Sequence, residues 1–123
     1  GIVYDIHFSP NGKYIAAVTN EGSLWILNPS NGETVVVQEL PNPLGNVLWY
    51  DDVIIVGGFK YVYFLKWTES SKELQKIYGF KAAKSWISLS TGLNYNPRHK
   101  LLAVTSWDNY VYVYDVSRVL SSS

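Results

Sequence analysis

The chain repeats itself. "IHFSPNGKYIAAVTNEGSLWILN" (Ile6 to Asn28) lies over "LNYNPRHKLLAVTSWDNYVYVYD" (Leu93 to Asp115) without a gap, at an offset of 87. Phe8 meets Tyr95, Pro10 meets Pro97 and Lys13 meets Lys100, then "IAAVT" meets "LAVTS" and "LWIL" meets "VYVY". The offset leaves room for one copy between, and "VLWYDDVIIVGGFKYVYFLK" (Val47 to Lys66) fills it as two apolar runs about a short turn. The period is then roughly 40–45 residues. A fixed period of this size means one supersecondary unit per copy, each burying what its neighbour cannot bury alone.

Each copy reads as strands separated by tight turns. In the first they are Ile2–Ser9, Tyr14–Thr19 and Ser23–Leu27, with Pro10-Asn11-Gly12 and Asn20-Glu21-Gly22 as turns. A fourth, Glu33–Leu40, follows the Asn-Gly of "NPSNGE". The second copy has strands at Gly45–Tyr50, Val53–Gly58, Tyr61–Trp67 and Glu73–Tyr78, and the third at Ser88–Tyr95, Lys100–Ser106 and Tyr110–Val116. In the third copy the fourth strand is missing or stunted: only "SRVLSSS" remains, and its Ser run reads as a frayed tail. The inner strands "YIAAV", "VIIVGG" and "LLAVT" are apolar on both faces. A sheet with one wet face would alternate more cleanly. Double-sided apolarity suits a small sheet held between two others, as in a β-propeller. The predicted fold is all-β: three four-stranded antiparallel blades, at about 2–40, 45–80 and 86–120, forming a partial or oligomer-completed propeller in one segment, 1–123.

The stretches "FSPNGKYIAAVTNEGSLWILN" and "YNPRHKLLAVTSWDNYVYVYD" resemble the WD-repeat (WD40) family, whose blades run from a Gly-His pair through an aromatic-Ser-Pro-x-Gly turn to a Ser-x-Asp turn and a closing Trp-Asp. The literal Trp107-Asp108 is not the closing pair: Asp108 falls in the turn slot, and Tyr114-Asp115 takes the closing place. The resemblance implies a structural polar network of Ser106, Asp108 and Tyr114, the Tyr hydroxyl standing in for an indole N–H. No Gly-His pair occurs, so the fourth member of that network is absent. The family implies a protein–protein interaction scaffold without enzymatic activity.

A propeller needs 4–8 blades to close. Three leave two apolar end faces, to be covered by the remaining blades of a longer chain, by a partner's blades or by self-association. The other reading of function is therefore purely structural, blades that complete a larger or oligomeric ring.

Composition excludes several chemistries. There is no Cys, hence no disulfide and no thiolate nucleophile. His7 and His99 have no ligand-spaced neighbours, so no metal is expected and no cofactor. Asp5 and His7 share a strand face and read as a hydrogen-bonded pair. There is neither a Gly-x-Ser-x-Gly elbow nor a phosphate-binding loop. No basic-then-apolar leader opens the chain and no apolar run reaches membrane-spanning length, which gives an expectation of an intracellular protein with no membrane partner. The chain opens at Gly1 without Met, and reads as processed or as part of something longer.

Binding is the better case. Turns between second and third strands share one end of a propeller with the blade-to-blade loops. That end would carry Asn20, Phe59, Lys60, Trp107, Asn109, Tyr110 and a loop from Phe80 to Trp86. Large aromatics at turn tips are poor core material and good anchors. Trp107, Phe59 and Trp86, with Tyr110 and Lys60, are the expected partner-binding residues. The strand aromatics Trp25, Tyr63, Phe64, Tyr112 and Tyr114 are assigned to the core between blades. Lys60, Lys81 and Lys84 beside aromatics would also suit an acidic peptide or single-stranded nucleic acid. The formal net charge of zero gives nucleic acid no support.

Overall fold

The chain turns where its residues accept a left-handed backbone. Gly12, Gly22 and Gly32 have φ of 73°, 95° and 75°, and Asp51, Lys60, Lys100 and Asn109 take positive φ at other strand junctions. Gly22 has no alternative: a Cβ there would stand 2.8 Å from the carbonyl oxygens of Leu40 and Asn42. The computed structural model describes residues 1–121. Between these turns run β1 (Val3–Phe8), β2 (Ile15–Thr19), β3 (Ser23–Leu27), β4 (Thr34–Glu39), β5 (Leu44–Tyr50), β6 (Val53–Thr68), β7 (Glu73–Trp86), β8 (Leu93–Asn96), β9 (Leu101–Thr105) and β10 (Val111–Asp115). A short helix, α1 (Ser117–Ser121), follows β10.

Three antiparallel sheets result, ordered β1-β2-β3-β4, β5-β6-β7 and β10-β9-β8. The second equals the first once β6 is followed along its length. The Trp67 N–H donates to the Asp52 carbonyl at 2.7 Å. A straight strand would hold those groups about 50 Å apart. So β6 doubles back at Phe59-Lys60 and supplies both central arms of the sheet. The expected pair of strands, Val53–Gly58 and Tyr61–Trp67, is this one folded element.

The sequence offset survives as three-dimensional register. Phe8↔Ile15, Ala17↔Trp25 and Ile15↔Leu27 in the first sheet become Tyr95↔Leu102, Val104↔Tyr112 and Leu102↔Tyr114 in the third. Faces are therefore equivalent too. In the first sheet Ala16, Val18, Leu24 and Ile26 pack on the second, against Ile54, Val56, Tyr63 and Leu65. The other side of that second sheet sends Ile55, Val62 and Phe64 to Leu93, Tyr95, Leu102 and Val104 of the third. Alternate residues of one sheet thus fill two cores, which is why its strands are apolar on both faces.

Two polar ties cross the seams at matching places. Asp5 and Asn46 each sit where strand register slips, in β1 and β5. The Val47 N–H donates to Asp5 Oδ2 at 3.0 Å, and Asn46 Nδ2 donates to the Ser88 carbonyl at 2.7 Å. Asp5 does not bond His7 as the sequence suggested. Its carboxylate is taken by the Val47 and Ile6 amides, while His7 Nδ1 meets the Phe8 carbonyl at 2.7 Å. Burial raises the Asp5 pKa, against the opposing effect of those amides.

The third sheet has three strands, with β10 at its edge. Where a fourth strand would return, the chain enters α1 instead. Asp115 Oδ1 accepts from the Ser117 amide at 3.0 Å and the Ser117 hydroxyl at 2.6 Å, and Val119 and Leu120 pack on the second core. The last two residues of the Ser run lie outside the described residues. The loop expected from Phe80 to Trp86 is strand instead: β7 carries on to Trp86, with Phe80 opposite Val62 and Trp86 opposite Phe59. Trp25 is also displaced from expectation. It stands on the outer face of the first sheet, 36% exposed, on the side that neither of the other two described sheets covers.

Candidate partner-binding face

Three equivalent hydrogen bonds fix the turn tips. The amide of the first turn residue donates to the carbonyl of the segment that enters the same sheet: Asn20 to Ile2 at 3.0 Å, Phe59 to Pro43 at 3.0 Å and Trp107 to Trp86 at 2.9 Å. Asn20, Phe59 and Trp107 thus occupy one structural position in three sheets, and only the last two carry aromatics. Trp86 belongs to both of their neighbourhoods. It pairs with Phe59 across β6 and β7, and its carbonyl also accepts the Ser106 hydroxyl at 2.9 Å.

Their rings form a row along the seam between the second and third sheets. Phe59 and Trp86 have centroids 5.3 Å apart, and Trp86 and Trp107 6.2 Å apart. Lys60 Nζ lies 4.9 Å from the Phe59 centroid, a cation–π contact at one end of the row. Trp107 is 57% exposed and Tyr110 62% exposed. Phe59, Lys60 and Trp86 are half-buried. Tyr110 extends a second line, its ring 6.1 Å from Tyr112, which stacks in turn on Tyr114 at 6.1 Å.

Asp108 holds this corner rigid. Its Oδ1 accepts the Tyr110 amide at 3.0 Å, and its Oδ2 accepts the Lys84 amide at 2.8 Å and the Tyr112 hydroxyl at 2.7 Å. The tyrosine bonded to Asp108 is Tyr112, not Tyr114. Both point to one face of β10, but Tyr114 lies two residues further along, and its hydroxyl donates to the Ala82 carbonyl at 2.6 Å. Ser106 is in the network, accepting the Asp108 amide at 3.2 Å. The incoming segment has no His, and the Lys84 backbone N–H makes the contact instead. No pattern of side chains could have revealed a backbone donor.

The electrostatics follow. Burial pushes the Asp108 carboxyl up, but the Tyr112 hydroxyl and the Lys84 and Tyr110 amides outweigh it, and its pKa falls below the ordinary value. The bond to Asp108 holds the Tyr112 phenol protonated, its pKa pushed up to about 12. With donors on both oxygens, Asp108 ties its own turn, β10 and the incoming strand together. Among the described residues, no three His, Cys, Asp or Glu side chains gather as metal ligands, and no helix is long and apolar enough to cross a membrane.

A family model described as "WD domain, G-beta repeat" matches residues 1–28 and 73–115, more than half of the chain. Its second match starts at β7, so that repeat takes in the outer strand of one sheet with the three strands of the next. Among solved structures, the chain superposes on Sqt1 of Chaetomium thermophilum with a TM-score of 0.78 at 22% identity, covering 97% of this chain and 34% of that one. The Cps50 (Swd1) β-propeller domain of Myceliophteria thermophila gives 0.76 at 13% identity, covering 93% and 40%. U3-55K gives 0.74 at 17% identity, covering 94% and 36%. The chain thus spans a third to two-fifths of the length of these propellers. No curated protein sequence matches it.

Proposed function

The chain belongs to the WD-domain (G-beta repeat) family, and from that premise we propose that it is a non-enzymatic scaffold for protein–protein interaction. The observation that carries this reading is the aromatic row Phe59–Trp86–Trp107, ending in a Trp that is more than half exposed. An indole on a hydrogen-bonded turn loses little conformational freedom when a partner covers it, so its apolar area is available as binding energy. Trp107 is the central anchor, Phe59 and Trp86 form the floor beside it, and Lys60 and Tyr110 supply polar contacts at the rim.

A second reading concerns the ends of the stack, and it rests on the equivalence of faces. The face of the first sheet that bears Ile6, Phe8 and Trp25 is exposed, whereas its counterpart in the third sheet is packed on the second. The opposite face of the third sheet, with Val111 and Val113, is exposed, whereas its counterpart in the first sheet is packed. Each end is thus shaped for a blade like those already present. Further blades of a longer chain, or a second copy stacked head to tail, would cover both.

Replacing Tyr110 with a photo-crosslinking phenylalanine analogue captures what touches this corner. The captured protein is then titrated against the chain. Trp107→Ala and Phe59→Ala are expected to weaken that affinity by about tenfold or more each. Unchanged affinity in both, with folding verified by circular dichroism, rejects the aromatic row as the binding site.

A further inference from the structure

The seam between the first two sheets holds a cavity at the end of the strands opposite the aromatic row. Its volume is about 210 Å³. That is below the roughly 300 Å³ at which drug-sized sites begin, and suits a single side chain. Tyr14, Trp49 and Trp67 give it aromatic walls, and its charged lining residues are Asp51, Asp52 and Glu69. Trp67 packs edge-on against both other rings, its centroid 5.2 Å from that of Tyr14 and 6.1 Å from that of Trp49. Across the seam Asn11 Nδ2 donates to Glu69 Oε1 at 3.1 Å. Further blades at either end of the stack would leave this seam as it is.

The lining lacks partners of both kinds. Trp67 is 5% exposed, and its indole N–H has no acceptor. Trp49 beside it gives its own indole N–H to the Asp51 carbonyl at 3.1 Å. A buried donor left unpaired is costly, so the Trp67 N–H calls for an acceptor. The carboxylates are short of donors. Lys66 Nζ stays 3.9 Å from Asp52 and Lys13 Nζ 3.6 Å from Glu69, both longer than a charge-assisted hydrogen bond. Among the described residues, none makes an ion pair or hydrogen bond with the Asp51 side chain. Lys72 Nζ lies against Tyr14, 3.0 Å from its hydroxyl. Lys13, Lys66 and Lys72 thus match the three carboxylates in number, and the site has no net charge to draw a cation or an anion.

We propose that this cavity takes the side chain of a glutamine presented by a partner protein. A primary amide has what the lining lacks. Its carbonyl oxygen accepts from the Trp67 Nε1–H, and its two N–H groups donate to the carboxylates of Asp51 and Asp52. It is uncharged, as a site without net charge requires. An ammonium would bring donors and no acceptor, and a carboxylate acceptors and no donor. The cavity lies at the far end of the sheets from Phe59, Trp86 and Trp107, so occupying one site leaves the other open.

The test follows the five indole N–H resonances of the 123-residue chain labelled with nitrogen-15 at Trp, with Trp67→Phe identifying that of Trp67. The probe is propionamide, the glutamine side chain as a free molecule. A saturable downfield shift of the Trp67 indole proton is expected, with those of Trp25, Trp86 and Trp107 unmoved. Asp51→Asn keeps a residue type that accepts the φ of 51° there, and should weaken binding by about tenfold. Propylammonium and propionate should leave the Trp67 proton in place. N-butylacetamide, which stands for an acetylated lysine, has one N–H fewer and should bind more weakly. Trp107→Ala should respond as the parent does, which separates this cavity from the aromatic row. A Trp67 proton that does not move, an equal response to propylammonium, tighter binding of N-butylacetamide, or indifference to Asp51→Asn overturns the proposal. So does a Trp67 proton already at a hydrogen-bonded position in the free chain and unmoved by the probe, because water would then be its acceptor.

Discussion

Asp108 shows how a single carboxylate organises a corner. Three donors from three places meet it: the amide of its own turn, the phenol of Tyr112 and the amide of Lys84 on the incoming strand. The pH dependence follows from both partners. The folded Asp108 pKa lies below its ordinary value, so its contribution to stability is present above about pH 4 and is lost as pH falls through the folded pKa. The folded Tyr112 pKa is pushed up to about 12. Its contribution is complete below about pH 10 and is lost as pH rises towards the folded value. Tyr112→Phe should therefore remove the alkaline loss and make the acid loss shallower, because Asp108 would be left with fewer donors. Urea midpoints measured from acid to alkaline pH check both limbs, and unchanged limbs would refute the network. The sequence located Ser106 and Asp108 through the turn slot. The resemblance pointed to Tyr114 because that residue takes the place of the closing Trp, whereas Tyr112, two residues earlier on the same face, is the one whose hydroxyl reaches the carboxylate.

Among the elements, the double-sided second sheet is the centre of the structure. Phe64 is fully buried between it and the third sheet, whereas Val113 is 63% exposed at the outer end. Phe64→Ala should cost about 3–5 kcal/mol, a large part of the stability of a domain of this size. Val113→Ala should cost about 0.5 kcal/mol or less. Denaturant titration of both variants separates them, and similar costs would mean that the second core is not where the stability resides. Most of these elements were legible. Gly and Asn turns punctuated them, and the 87-residue offset fixed strand register in advance, down to Ala17↔Trp25 matching Val104↔Tyr112. Two were not legible. The stretch from Phe80 to Trp86 contains no Gly, Pro, Asn or Asp, and its strand character depends on the partners that β6 and Trp107 offer. The helix after β10 is too short to show a period, and it depends on the Asp115 cap and a place for Val119 and Leu120.

At the scale of the whole molecule, the repeat determines what lies at the ends. Each sheet offers one face to the sheet before it and the other to the sheet after it, so a stack of three exposes one of each. The first carries Ile6, Phe8 and Trp25, and the last carries Val111 and Val113. Exposed apolar faces of this kind drive association. Similar solved propellers are two to three times longer than this chain, so further blades are the covering that a longer polypeptide would supply. The 123-residue chain alone has only copies of itself. The measurement that tests this most directly is sedimentation equilibrium of the chain over a wide concentration range, beside the variants Trp25→Lys and Val113→Lys. The account predicts reversible, concentration-dependent association of the parent, and loss of that association when either end carries the charge. A folded parent that stays monomeric throughout, or variants that associate as the parent does, would contradict it.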